Sequence, residues 1–224
     1  MKVLLISGGH VDPSFAAGFL QEHTFQKVIA VDGGLEIARR LKASPLTDIV
    51  GDFDTVQPEV LAVYTREAQN GQGPVIHKYN PEKDYTDTDI ALKLAMEYCE
   101  GQAESQIWIL GATGTRLDHV LANISMLLLP LRKGIRAVIQ DENNRISLLS
   151  GQLTIEKHSH FGKYLSLIPL TPEISGLTLR GVKYPLEDHR VLQGESLCVS
   201  NEITQAQAFL KVEKGIAILL ETRD

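Results

Sequence analysis

The feature that most constrains this chain is a change of period part-way along it. Up to about residue 140, short apolar runs alternate with longer segments of helical spacing. "KVLLIS", "KVIAV", "DIVG", "PVIHKY", "QIWIL" and "IRAVIQ" read as strands. Between them, "LEIARRL" and "PEVLAVYTREAQ" have helical period. "DIALKLAMEYCE" places Ile90, Leu94 and Tyr98 near one helical face. "RLDHVLANISMLLL" does the same for Leu117, Leu121, Ile124 and Leu128. Strand then helix, repeated, predicts an α/β layer with a mainly parallel sheet and flanking helices.

Beyond about residue 145 the helical period is lost. "RISLLSG", "QLTIEK", "YLSLIPL", "GLTLRGV", "SLCVSNEI", "QAFLKVE" and "GIAILLE" are short, alternating and punctuated by turn residues. No helix of ten residues is expected there. This pattern predicts an all-β sandwich or small barrel-like domain. The polar stretch "QDENNR" (140–145) marks the boundary, giving domains over residues 1–143 and 144–224.

Composition narrows the function classes. A net charge of −6 argues against a general nucleic-acid surface. No apolar run reaches the ~18 residues of a membrane span, so no membrane partner is expected. The first apolar run is too short for a secretory core, and a cytoplasmic protein is expected. Cys99 and Cys198 have no neighbour at metal-ligand spacing and read as buried thiols. His158 and His160, in "KHSHFGKY", read as exposed alternating positions at a strand edge.

In open α/β sheets, ligands bind beyond the carboxyl ends of the strands. After the first strand comes Ser7-Gly8-Gly9, and after the second Asp32-Gly33-Gly34. After the third come Gly51, Asp52 and Asp54. After the fourth come Lys78, Asp84, Thr86, Asp87 and Asp89, and after the fifth "GATGTRLDH". Each piece has a plain structural reading as well. Asp32 can cap a helix, and Thr86 to Asp89 has near capping-box spacing. The stripe of Arg116, His119 and Asn123 can be a solvated face. The glycine loop at 111–114 is not a Walker loop, because the G-K-[ST] ending is missing. Taken together, carboxylates at strand ends beside glycine loops and an arginine suit Mg²⁺ carrying a polyphosphate.

The motifs "VDGG" (31–34), "GDFDT" (51–55), "DYTDTDIAL" (84–92) and "GATGTRLDHVLANISML" (111–127) resemble those of the thiamine pyrophosphokinases. The stretch "GLTLRGVKYPLEDHRVLQGESLCVSNEI" (176–203) resembles that family's C-terminal signature. The five motifs span nearly the whole chain in the family's order. The resemblance implies a Rossmann-like α/β domain followed by a thiamine-binding β-sandwich. It implies transfer of the pyrophosphoryl group of ATP onto thiamine, giving thiamine diphosphate and AMP. It also implies a homodimer with active sites at the subunit interface. By motif, Asp52, Asp54 and Asp87 would hold Mg²⁺ and, with Arg116, carry catalysis. Asp32, Ser200 and Asn201 would contact thiamine. Gly33, Gly34, Thr86, Gly111, Gly114, Arg116, Asp118, His119 and Asn123 would line the nucleotide site. Thr55, Val31 and Thr115 depart from the family's commonest residues without removing a carboxylate or the arginine.

Three other readings compete. The same transfer could go to another alcohol, such as a pterin. "DFDTV" (52–56) also mimics the nucleophile motif of aspartyl-phosphate phosphatases. A non-catalytic nucleotide- or thiamine-binding regulator would bind without forming AMP.

Overall fold

The computed structural model describes residues 1–224 apart from Ser44, Pro81, Lys83 and Thr115. The chain divides into two compact units, Met1–Glu142 and Asn143–Asp224.

In the first unit, β1 (Lys2–Ile6) leads to α1 (Pro13–Glu22), β2 (Lys27–Val31) to α2 (Gly34–Leu41), and β3 (Asp48–Gly51) to α3 (Pro58–Gln69). Then β4 (Val75–Lys78) leads to α4 (Asp87–Cys99), and β5 (Gln106–Leu110) to α5 (Leu117–Met126) and α6 (Leu128–Arg132), before β6 (Arg136–Gln140). The strands lie in the order β6-β5-β1-β2-β3-β4, and every pairing is parallel. The chain winds outward from β1 to β4, then returns to place β5 on the other side of β1. That reversal opens a crevice at the carboxyl end of β1. The inner strands are apolar on both faces: Val3 to Ile6, Ile29 to Val31, and Ile107 to Leu110 are all buried. Such continuous apolar runs are what a sheet covered on both faces requires.

All six predicted strands form. The helix α1 was not anticipated, although its start is marked by Asp12, whose carboxylate accepts the Phe15 N–H at 2.7 Å, and by Pro13 at the first turn. Two helical faces differ from expectation. In α4 the buried face is Ala91, Leu92, Ala95 and Cys99. Ile90, Leu94 and Tyr98 flank it, half-buried. In α5 the first half of the expected apolar face points outward: Leu117 is 71% and Leu121 65% exposed, whereas Ile124 and Leu128 are half-buried and Asn123 is buried. The reason is local. The Asn123 side chain donates to the Ala112 carbonyl at 2.7 Å, which turns the polar stripe onto the preceding glycine loop.

The second unit holds β7 (Asn144–Glu156), a 3₁₀ turn (Lys157–Ser159), β8 (Tyr164–Pro169), β9 (Glu173–Arg180), β10 (Leu186–Leu192) and β11 (Gln207–Thr222). All pairings are antiparallel. One edge of β11 pairs with β7 along its length; the other pairs first with β9 and then with β8. The predicted pairs of short strands at 145–156 and 207–221 are each one long strand. The β11–β7 ladder shifts register between Val212 and Ala217, and Gly151 and Gly215 take φ of 91° and 90°. Left-handed glycines at a bulge bend the strands without ending them. Cys198 and Asn201 are buried, yet "SLCVSNEI" is not a strand. It makes only isolated bridges at Asn201 and Ile203, because Ser200 is left-handed with φ 60°.

Cys99 and Cys198 are both buried free thiols, and burial pushes Cys198 up to about 11. His158 is exposed on the 3₁₀ turn. His160 is not: its side chain is 5% exposed, with Nε2 3.8 Å from the Glu221 carboxylate. Burial is the main cause that holds His160 below the usual histidine range. Alternation failed here because the chain turns at 157–159 and tucks His160 inward.

Candidate active site

The three aspartates of "DIVGDFDT" divide between two ends of β3. Asp48, at its start, is fully buried. It accepts the Tyr98 hydroxyl at 2.9 Å, and His77 Nε2 lies 2.9 Å away. Burial and this acceptor push the Tyr98 phenol up to about 12. This network ties β3, β4 and α4 together at the end of the sheet away from Asp52 and Asp54. Those two follow Gly51 at the carboxyl end.

There the strand ends meet backbone to backbone. Ser7 N–H donates to Leu110 O, Gly9 N–H to Gly111 O, and Asp32 N–H to Val50 O, at 2.8–2.9 Å. A Cβ on Gly9 would lie 2.3 Å from Thr113 O, and one on Gly111 would lie 2.2 Å from Ser7 O. Only glycine permits that approach, so the glycines form the floor of the crevice. Over it lies a cavity of about 840 Å³. Asp32, Gly33, Asp52, Thr86, Asp87, Gly111, Gly114, Arg116, His119 and Asn123 all line it. The strand ends thus bring most of the predicted nucleotide, metal and catalytic residues to one cavity.

Asp54 is exposed at the edge of this group. One oxygen each of Asp32, Asp52 and Asp54 lies within 4.8 Å of the others. Chiefly Asp52, then partial desolvation, Asp32 and Asp87, push the Asp54 carboxyl above its usual range. Crowded carboxylates of this kind fit a divalent cation, which would relieve their repulsion. Asp32 takes no cap role. Its φ is 45°, and its Oδ2 accepts the Thr55 hydroxyl at 2.6 Å. Thr55 thereby holds Asp32 towards Asp52 and Asp54.

Thr86 does cap α4, accepting the Asp89 N–H at 3.2 Å, and Asp89 pairs with Lys93 at 3.1 Å. Asp87, in the first helical turn, faces the cavity. Gly34, by contrast, is buried under β1 and does not line the cavity. Arg116 and Asp118 are exposed and pair with each other at 2.6 Å. Thr115 lies outside the described residues. Sequence reasoning placed Ser7 at a strand end without giving it a role and missed Thr88, whose hydroxyl meets that of Ser7 at 3.2 Å at the cavity, and Tyr85, exposed at its rim with Lys93 Nζ 3.7 Å from the ring centroid. Their positions within "ISGG" and "DYTDTD" were the available signal. Ser200 and Asn201 lie in the second unit.

The raised pKa of Asp54 gives a signed prediction. Just above the ordinary carboxylate range, the folded chain binds more protons than the unfolded chain. The crowding therefore costs stability as pH rises through that window. In the absence of divalent cation at pH 7, Asp54→Asn is expected to melt above wild type. Added Mg²⁺ should raise the wild-type Tm and move the variant less. Equal shifts in both proteins would count against a cation at this cluster.

Comparison with known proteins now places the chain. The domain description "Thiamin pyrophosphokinase, catalytic domain" matches residues 21–139, and "Thiamin pyrophosphokinase, vitamin B1 binding domain" matches 152–217. The chain belongs to the thiamin pyrophosphokinase family. It is 34% identical over 208 residues to thiamine pyrophosphokinase of Bacillus subtilis, covering 92% of this chain and 91% of that one. It is 25% identical over 203 residues to thiamin pyrophosphokinase 1 of Caenorhabditis elegans, covering 86% and 78%. The crystal structure of the Bacillus subtilis protein superposes with a TM-score of 0.84 at 30% identity, covering all of both chains. Thiamin pyrophosphokinase from Candida albicans shares the fold, with a TM-score of 0.78 at 18% identity over 99% of this chain and 90% of that one. No helix among the described residues is long and apolar enough to cross a membrane.

Proposed function

We propose that this family member transfers the pyrophosphoryl group of ATP to the hydroxyethyl oxygen of thiamine, forming thiamine diphosphate and AMP. The observation that carries the reading is the single crevice where glycine-floored strand ends meet the carboxylates and Arg116. The alcohol oxygen bonds to the β-phosphorus. The bond from that phosphorus to the oxygen bridging to the α-phosphorus breaks, and AMP leaves with that oxygen. The alcohol proton passes to a carboxylate of the cluster.

Asp52, Asp54 and Asp87 would hold Mg²⁺, with Asp32 beside them. When bound, the cation supplies positive charge for the phosphate oxygens. The chain's own groups do the rest. Backbone N–H groups of the glycine loops and the Arg116 guanidinium face the polyphosphate, where charge develops during transfer. Gly33, Gly111, Gly114, His119 and Asn123 shape the nucleotide side. The cavity walls align alcohol and phosphorus, which lowers the entropic part of the barrier. The net acidity of the site also suits thiamine, whose thiazolium ring is cationic.

Ser200 and Asn201 would contact the acceptor; both fall within residues 152–217, where the vitamin B1 binding description matches. That match favours thiamine over a pterin. The phosphatase reading leaves it unexplained, and a non-catalytic regulator leaves the catalytic-domain match unexplained. A cytoplasmic homodimer fits this reading, with Ser200 of the partner subunit reaching thiamine. The exposed Leu117 and Leu121 offer apolar surface for such an association.

The test is a product assay with thiamine, ATP and Mg²⁺. Thiamine diphosphate and AMP in equal amounts, both lost with EDTA, are expected. ADP or free phosphate without thiamine diphosphate would overturn the reading.

A further inference from the structure

Ser200 sits in a backbone conformation that side chains with a Cβ rarely adopt, at φ 60°. Something must hold it there. On one side, Ser166 of β8 is buried, and its Oγ accepts the Ser200 N–H at 2.9 Å. On the other, the Asn201 backbone exchanges both hydrogen bonds with Leu165, at 3.0 and 2.8 Å. The buried Asn201 side chain is also committed internally. Its Oδ1 accepts the Tyr184 N–H at 3.0 Å and the Glu202 N–H at 2.9 Å. Its Nδ2 donates to Tyr184 O at 2.9 Å. Both lone pairs of Oδ1 are thus consumed, and Asn201 is only 4% exposed, so the side chain is withheld from a ligand.

Ser200 differs in each respect. It is exposed, and its hydroxyl makes no hydrogen bond among the described residues. A left-handed residue fixed from both sides, with a free donor–acceptor group outward, is built to present that group. We propose that Ser166 and Asn201 are positioning residues that clamp Ser200, and that the Ser200 hydroxyl alone of the three side chains meets thiamine. This rests on the acceptor assignment above. It gives Ser166 a role in recognition and moves Asn201 from contact to support.

The test is a double-mutant cycle on steady-state kinetics with the full chain. Ser166→Ala removes the acceptor for the Ser200 N–H with little change of shape. It should raise the thiamine KM about tenfold, the effect of losing one hydrogen bond that fixes the presenting backbone. The ATP KM and the melting temperature should stay close to wild type. Ser200→Ala should raise the thiamine KM similarly. In the double variant the two effects should not multiply, because no hydroxyl remains to be presented. A merely structural role would instead lower the melting temperature and kcat while leaving the thiamine KM in place. Should Ser166→Ala fold poorly, Ser166→Cys keeps the size but accepts only weakly; it is expected to raise the thiamine KM in the same direction. An active wild type with unchanged thiamine KM in the clamp variants, or fully multiplicative effects in the double, overturns the clamp alone. A wild type that turns over no thiamine overturns the acceptor assignment beneath it.

Discussion

Replacing Asp52 with asparagine is expected to cut thiamine diphosphate formation by about 10²–10³-fold, the loss seen when one preorganised electrostatic group leaves an active site. Asp52→Asn keeps the volume and most hydrogen bonds, so the fold should survive. Asp52 lines the cavity, and one of its oxygens lies within 4.8 Å of oxygens of Asp32 and Asp54. Asp87→Asn should act in the same direction from the start of α4. Raising Mg²⁺ should recover part of the Asp87→Asn loss if weakened cation binding is the cause. The readout is initial rate against Mg²⁺ concentration, beside melting curves. Turnover that stays near wild type in both variants would remove the metal assignment.

The second large effect falls on stability. Gly34 opens α2 directly beneath β1, and a Cβ there would lie 1.9 Å from Ile6 O and 2.7 Å from Ile6 C. Both obstacles are backbone in a central strand, so neither can swing aside. Gly34→Ala should therefore cost about 3 kcal/mol, the upper range for overpacking. For a chain of this size that lowers the Tm by about 10 °C. The displaced strand end carries Ser7-Gly8-Gly9, so activity should fall as well. Gly18→Ala is the control. Gly18 lies in the interior of α1 with nothing within 4 Å of the added Cβ, and alanine should gain about 0.5–1 kcal/mol there. A Gly34→Ala protein as stable as wild type would show that β1 and α2 do not approach as described.

These two positions also separate what could be read along the chain from what could not. Asp52 was legible because it combines three local facts: a strand-like run, a glycine, and a second acid too close to be neutral company. Gly34 was legible only as a glycine after an acid, and the sequence reading gave it a place at the nucleotide. Its close contact is with Ile6, far away in sequence. Similarly, Asp48 and Asp52 stand four residues apart and look alike. The first is sealed beneath the sheet with His77 and Tyr98, and the second faces the cavity.

The sequence alone determined the α/β unit's strands, the loss of helical period near residue 145 and the gathering of acids and glycines at strand ends. Each is a local property, set by side-chain period and turn chemistry within a few residues. The tertiary structure decided the rest. Strand order put β5 beside β1 and opened the crevice. A hydrogen bond from Asn123 to Ala112 turned α5 so that its leucines face out. Left-handed glycines joined paired short strands into long ones, and a turn buried His160. Thr55, 23 residues from Asp32, fixed that carboxylate beside Asp52 and Asp54. These outcomes depend on partners distant along the chain, where periodicity carries no information, and on backbone conformations that only the folded context stabilises.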